Sequence, residues 1–148
     1  MLTKLKQISI NNYLAESRKN GDPTQEILRG LLHDPKYIPS KFFYDERGSE
    51  LFERITRLPE YYPPRTEKKL IADAAESLHP TLHHTDIVEL GSGDCSKISI
   101  LMGAIPSEYH PTMRYFALDV SESAIRKSVY QLSERFPDIP HYGLVADF

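Results

Sequence analysis

The stretch Glu89-Leu90-Gly91-Ser92-Gly93-Asp94-Cys95 constrains this chain more than any other. It follows the apolar run Asp86–Leu90 and precedes residues 96–105, where Ile98, Leu101, Met102 and Ile105 recur at helical spacing. Two glycines between a strand and a helix make a turn whose backbone can approach a ligand with no Cβ in the way. The helix that follows offers unpaired N–H groups to the same space. The pattern then repeats. Arg114–Asp119 reads as a second strand, Ser121 caps a helix with Ile125, Val129, Leu132 and Phe136 inward, and residues 141–147 read as a third strand. Strand, helix, strand, helix, strand is a doubly wound, Rossmann-like α/β pattern with parallel strands.

Residues 1–80 lack this alternation and read as all-helical. The stretch to about residue 20 is polar and irregular. Asp22 can then cap a helix with Pro23 at its first position and Ile27, Leu28, Leu31 and Leu32 at helical spacing, ended by Pro35 and Pro39. Ser49 can cap a second helix carrying Leu51, Phe52 and Ile55, which Pro59 stops. Glu60, Tyr61 and Tyr62 are extended ahead of Pro63 and Pro64, and a third helix runs from Pro64 or Thr66 to Leu78. The expected organisation is a helical region over 1–80 and, over 81–148, half of a sheet with three parallel strands. In the usual order the first strand is central and a fourth pairs on its other side. A bare apolar edge invites association. The expectation is therefore a truncated chain or half of a larger domain, with a partner chain or self-association at the open edge.

Composition excludes several classes. With 40% hydrophobic and 26% charged residues, the 148-residue chain has the make-up of a soluble globular protein. A net charge of -3 and the lack of any long Lys or Arg run argue against a nucleic-acid partner. No apolar run nears the roughly 18 residues of a membrane span, so a cytoplasmic location is expected. The single cysteine, Cys95, rules out an internal disulfide, and no metal-spaced set occurs among the six histidines.

Three residue groups fall at the carboxyl ends of the three strands, where open α/β sheets bind ligands. Gly91 and Gly93 form the first. Asp119 is the second, 28 positions after Gly91. Its carboxylate can accept from both ribose hydroxyls, although it also suits a plain turn-forming role ahead of Ser121. Asp147 and Phe148 are the third, an acceptor for an exocyclic amine beside a ring that can pack on adenine. A dinucleotide fingerprint, and with it an oxidoreductase, would want a glycine where Ser96 stands. S-adenosylmethionine has no pyrophosphate and less need of that glycine. Glu89, two before the first glycine, matches methyltransferase turns, or is a buried acid bonded to nearby backbone amides. Lys97 reaches toward the methionine carboxylate, or is solvated. The tyrosines upstream, taken alone, read as aromatic packing.

Upstream of the turn stand Lys41-Phe42-Phe43-Tyr44-Asp45-Glu46-Arg47-Gly48-Ser49-Glu50-Leu51-Phe52, then Pro59-Glu60-Tyr61-Tyr62-Pro63 and Arg65-Thr66-Glu67; Leu118-Asp119-Val120-Ser121 and Val145-Ala146-Asp147-Phe148 lie downstream. Together these closely resemble the histidine-specific S-adenosylmethionine-dependent methyltransferase family, over about residues 25–148. The resemblance implies a Rossmann-like domain with a helical N-terminal portion and a second, substrate-binding domain. It implies that Gly91, Lys97, Asp119, Asp147 and Phe148 contact the cofactor. Tyr61 would contact the amino-acid substrate and Tyr44 would lie near the reacting amine. Family members run to roughly twice this length, so most of the substrate pocket is expected to lie outside these residues. What remains is a partial cofactor cradle, an active methyltransferase on the α-amine of L-histidine or a non-catalytic fragment that binds cofactor weakly.

Overall fold

The computed structural model describes residues 8–14, 22–78, 81–82, 84–93 and 95–147. Phe148 and Asp94 lie outside the described residues. The elements are β1 (Ile8–Asn12), α1 (Pro23–Leu32), a 3-10 turn (Ser40–Phe43), α2 (Glu46–Thr56), α3 (Pro63–Leu78), β2 (Asp86–Leu90), α4 (Ser96–Ala104), a second 3-10 turn (Ser107–Thr112), β3 (Arg114–Asp119), α5 (Glu122–Arg135) and β4 (His141–Val145). The four strands form one parallel sheet in the order β1-β4-β3-β2.

The alternation read from the sequence folds as two successive crossovers, β2-α4-β3 and β3-α5-β4. Ile98 and Met102 of α4 meet Ile125, Val129 and Leu132 of α5 in one buried cluster with Tyr115, Ala117 and Val145 of the strands. Both crossover helices therefore cover one face, as two right-handed steps in the same direction require. Helix α3 packs along α4, with Ala75 buried. On the opposite face the Phe116 ring stacks on Tyr142, centroids 4.7 Å apart. Val88 and Leu90 alternate away from the cluster and are exposed.

Three strands were expected and four are present among the described residues. The region over 1–80 is not all-helical, because β1 comes from the stretch read as irregular. Its sequence, Ile-Ser-Ile-Asn-Asn, has two apolar residues and a pair of asparagines, poor strand formers. Pairing makes it a strand. Ile8 lies opposite His141 and Asn12 opposite Val145, and Ile8 and Ile10 pack against the core. The Tyr13 amide donates to the Val145 carbonyl at 2.7 Å, and Asn12 Nδ2 donates to Glu122 at 2.8 Å. These partners are more than a hundred residues away in sequence, beyond any local signal.

Smaller boundaries also shift. Asp45, not Ser49, caps α2: its carboxylate accepts from the Gly48 amide at 2.6 Å. Asp22 caps α1 through the Thr24 amide. Helix α3 begins at Pro63, since its fixed φ suits a first helical position. Strand β4 ends at Val145, two residues before Asp147. Among the described residues no helix is long and apolar enough to cross a membrane.

His141 on β4 is buried, with Nε2 lacking a hydrogen-bond partner among the described residues and its ring edge-on to Tyr115. Burial pushes its pKa down from 6.5 to about 4. The unfolded chain takes up a proton near pH 6.5, whereas the folded chain resists it. Stability is thus full above about pH 6.5 and falls as the pH drops toward 4, by roughly 1.4 kcal/mol per pH unit. Denaturant melts of wild type and His141→Phe across this window should show a shallower acid loss in the variant. Parallel curves would exclude His141 as the cause.

Candidate functional site

The glycine turn is built by three residues in the left-handed region: Gly91 (φ 66°), Gly93 (φ 51°) and Cys95 (φ 54°). Cys95 bears a side chain in a conformation that favours glycine, a local cost of order 1–2 kcal/mol. Its amide donates to the Ser92 carbonyl, and its own carbonyl accepts the Ser99 amide in the first turn of α4. The neighbouring strand holds the turn. Leu118 at the end of β3 accepts the amides of Gly91 (2.8 Å) and Ser92 (3.3 Å). From α5, Ser128 Oγ donates to the Gly93 carbonyl at 2.6 Å.

Asp119 is the hinge of this arrangement. One carboxylate oxygen accepts the Gly93 amide at 3.3 Å, and the other accepts the Ser121 amide at 2.9 Å. Ser121 in turn caps α5 through the Ala124 amide. Asp119 therefore does form a turn, as one sequence reading proposed, and also ties two strand ends together. A carboxylate offers about four lone-pair sites. The two backbone bonds leave acceptor capacity on both oxygens, enough for a ribose diol. Val145 lies opposite Asp119 in register, and the Ala146 amide donates to the Asp119 carbonyl at 3.1 Å. Asp147 follows, exposed, at the same end of the sheet.

Glu89 has a side-chain partner that the sequence reading did not name. Tyr115 Oη donates to Glu89 Oε2 at 2.6 Å. Tyr115 is fully buried, and burial first, then the Glu89 charge, pushes its phenol pKa far up, so it stays a donor. Lys97, on the first turn of α4, pairs with Glu67 of α3 at 3.2 Å, both side chains being over a third exposed. An exposed pair of this kind contributes about 0–1 kcal/mol, so a ligand carboxylate could take over the ammonium at little cost. Glu67, Glu89 and Lys97 share a cleft of about 400 Å³ between α3, α4 and β2.

The two tyrosines singled out upstream are brought together through Phe52 of α2. The Tyr44 and Phe52 ring centroids lie 6.3 Å apart, and those of Phe52 and Tyr61 also 6.3 Å, both edge to face. Tyr44 is exposed and Tyr61 half-buried. The aromatic packing expected of these tyrosines is thus present, around one helix residue, Phe52.

The turn fits an adenosyl cofactor. A Cβ on Gly91 would meet no atom within 4 Å, and one on Gly93 only the Gly91 carbonyl oxygen at 3.8 Å. The turn thus faces open space rather than protein. Ser92 Oγ is buried there without a hydrogen-bond partner among the described residues. An acid, a lysine and unclaimed acceptor sites are the donor and acceptor set that an amino-acid moiety and a ribose require.

Known proteins resemble this chain over most of its length. The family model described as histidine-specific methyltransferase, SAM-dependent, matches residues 23–148. The histidine N-alpha-methyltransferase of Mycolicibacterium smegmatis is 33% identical over 141 residues, covering 95% of this chain and 44% of its own length. A 4-dimethylallyltryptophan N-methyltransferase of Claviceps purpurea is 30% identical over 129 residues, covering 84% of this chain and 36% of its own. Ergothioneine biosynthesis protein 1 of Neurospora crassa is 31% identical over 115 residues, covering 77% of this chain and 13% of its own. The chain spans less than half the length of these relatives. With 126 of its 148 residues (23 to 148 inclusive) inside the family model, the chain belongs to the histidine-specific, S-adenosylmethionine-dependent methyltransferase family.

Proposed function

We propose that this chain carries the cofactor half of a cytoplasmic S-adenosylmethionine-dependent N-methyltransferase, whose acceptor is the α-amine of an amino acid, L-histidine first. The carrying observation is the Asp119 carboxylate, which bridges Gly93 and Ser121 and keeps acceptor sites for a ribose. In this reading Gly91 and Gly93 let the backbone approach the cofactor, Asp119 holds the ribose, and Asp147 and Phe148 take the adenine. Lys97 takes the methionine carboxylate and Glu89, oriented by Tyr115, its ammonium. The relatives named for histidine and for dimethylallyltryptophan both methylate amino acids bearing an aromatic ring system, which supports that acceptor class.

The cofactor, when bound, supplies a methyl group on a sulfonium. In-line transfer to an amine needs a neutral lone pair and close alignment, so positioning accounts for much of the acceleration. Tyr61 would contact the amino acid, and Tyr44 Oη would accept an amine N–H so that the lone pair faces the methyl group. No covalent nucleophile is needed, which leaves Cys95 a turn residue.

A second reading is favoured by the edge of the sheet. Among the described residues β2 pairs only with β3. Beside it Leu70, Ile71, Ala74 and Leu78 of α3 line the cleft with Ile87 and Val88. A strand from a further polypeptide, completing the sheet there, would make activity dependent on that partner. Calorimetry with S-adenosylmethionine, S-adenosylhomocysteine and NAD tests the cofactor half. Binding of the adenosyl pair without NAD is expected, and NAD alone would sink the proposal. Transfer of labelled methyl to L-histidine is then measured for the chain alone and with a polypeptide covering the rest of the M. smegmatis relative. Transfer only in the mixture supports the partner reading.

A further inference from the structure

Arg65, at the start of α3, has no role in the site as described so far, yet its guanidinium makes three hydrogen bonds to backbone. Nη1 donates to the carbonyls of Leu58 (2.9 Å) and Tyr61 (3.3 Å), and Nη2 donates to that of Pro59 (2.5 Å). These carbonyls lie in the connection between α2 and α3, outside either helix. The connection they belong to is otherwise held by short-range turn bonds. Pro59 and Pro63 have no N–H; Leu58 N donates to Ile55 O (3.0 Å), Tyr61 N to Leu58 O (3.2 Å) and Tyr62 N to Glu60 O (3.1 Å), and Tyr62 O accepts the Arg65 and Thr66 amides (3.0 and 3.1 Å). The fork thus ties Leu58, Pro59 and Tyr61 to α3, while the Tyr61 ring leans on Phe52, which also meets the Tyr44 ring. Two residues further along α3, and so on another side of the helix, Glu67 pairs with Lys97 of α4. One helical turn therefore holds the tyrosine segment through Arg65 and the proposed cofactor lysine through Glu67.

We propose that Arg65 is a positioning residue of the amino-acid pocket, fixing the Tyr61 backbone relative to the cofactor helix. The proposal rests on the reading above that Tyr61 contacts the acceptor. A lysine would keep the charge but not the planar fork, which alone reaches three carbonyls at once. Tyr61 would then be held by its ring packing and by short-range turn bonds, and misplacement of a substrate group by an ångström can cost up to about a hundredfold.

The test compares Arg65→Lys with Arg57→Lys, a surface arginine paired with Glu53 in the same connection. In NMR spectra of the full chain, with Tyr61 assigned through Tyr61→Phe, Arg65→Lys should shift the Tyr61 ring and amide signals, and Arg57→Lys should not. In the transferring preparation, Arg65→Lys should raise KM for the amino acid at least about tenfold. The S-adenosylhomocysteine Kd and the melting temperature should stay at wild-type values, a split that a general loss of structure would not give. Unmoved Tyr61 signals, or an unchanged KM, overturn the proposal. If wild type transfers methyl to no amino acid, the functional reading fails instead, and the clamp stands or falls on the Tyr61 signals.

Discussion

Asp119→Ala is expected to weaken S-adenosylhomocysteine binding by about 100- to 1,000-fold while leaving the fold intact. One carboxylate has three duties here. It holds the Gly93 amide, holds the Ser121 amide and, in the proposed complex, accepts the ribose hydroxyls. Hydrogen bonds to a charged acceptor contribute roughly 1.5–3 kcal/mol each. The two backbone amides lie near the surface and can turn to water when the carboxylate is gone, which limits the cost to stability. The lost ribose contacts and the loosened turn have no such replacement, and about 3–4 kcal/mol of binding corresponds to the stated range. Asp119→Asn keeps the size and one acceptor oxygen, but sets its NH2 against one of the two amides. It should fall between wild type and alanine. Titration calorimetry measures both, with circular dichroism as the check on folding. A loss under about threefold in the alanine variant would mean that Asp119 only shapes the turn.

Gly143→Val should be the most destabilising change in the sheet, at roughly 3 kcal/mol, or a fall of about 10 °C in melting temperature. Two effects oppose each other. Valine has the higher strand propensity, worth up to about 1 kcal/mol. Against that, a Cβ on Gly143 would sit 2.5 Å from Ile125 Cγ2 and 3.1 Å from Ile10 Cγ1. Ile125 is fully buried in α5 and cannot swing aside, and Ile10 belongs to β1. The packing conflict wins because Ile125 sits in a close-packed interior that tolerates little added volume, and Ile10 packs against that core. Relief by detachment of β1 is the expected response, so amide exchange in residues 8–12 should rise more than elsewhere. A melting temperature within about 2 °C of wild type would show that β1 is not seated on the core as described.

The local layers of this protein were legible without coordinates. Apolar residues spaced three and four apart marked α4 and α5, Asp22 and Ser121 marked helix starts, and the glycine pair marked the turn. Each depends on residues within a turn or two of one another, where sterics and capping act. The same holds for Asp119 and Asp147, which fall at one end of the sheet because parallel strands joined by right-handed crossovers all finish on that side. The family segments carrying Tyr44 and Tyr61 were also readable, as motifs.

Tertiary structure decided the rest. Whether Ile8–Asn12 is a strand depends on β4, some 130 residues later, and a two-isoleucine segment has no propensity strong enough to announce it. That Glu89 is answered by the Tyr115 hydroxyl follows from the β2–β3 register, which sets Glu89 beside Ala117 and puts Tyr115, two residues back, on the same face. That Tyr44 and Tyr61 share Phe52, and that Arg65 reaches three carbonyls, follows from how α2 and α3 fold back around residues 57–62. By itself the sequence determined the glycine turn and the acids that face it, because close-range backbone chemistry dictates both. Which side chains hold that turn, and the tyrosines, in place was decided only when distant segments met, since burial, register and the need to satisfy backbone carbonyls act across space and not along the chain.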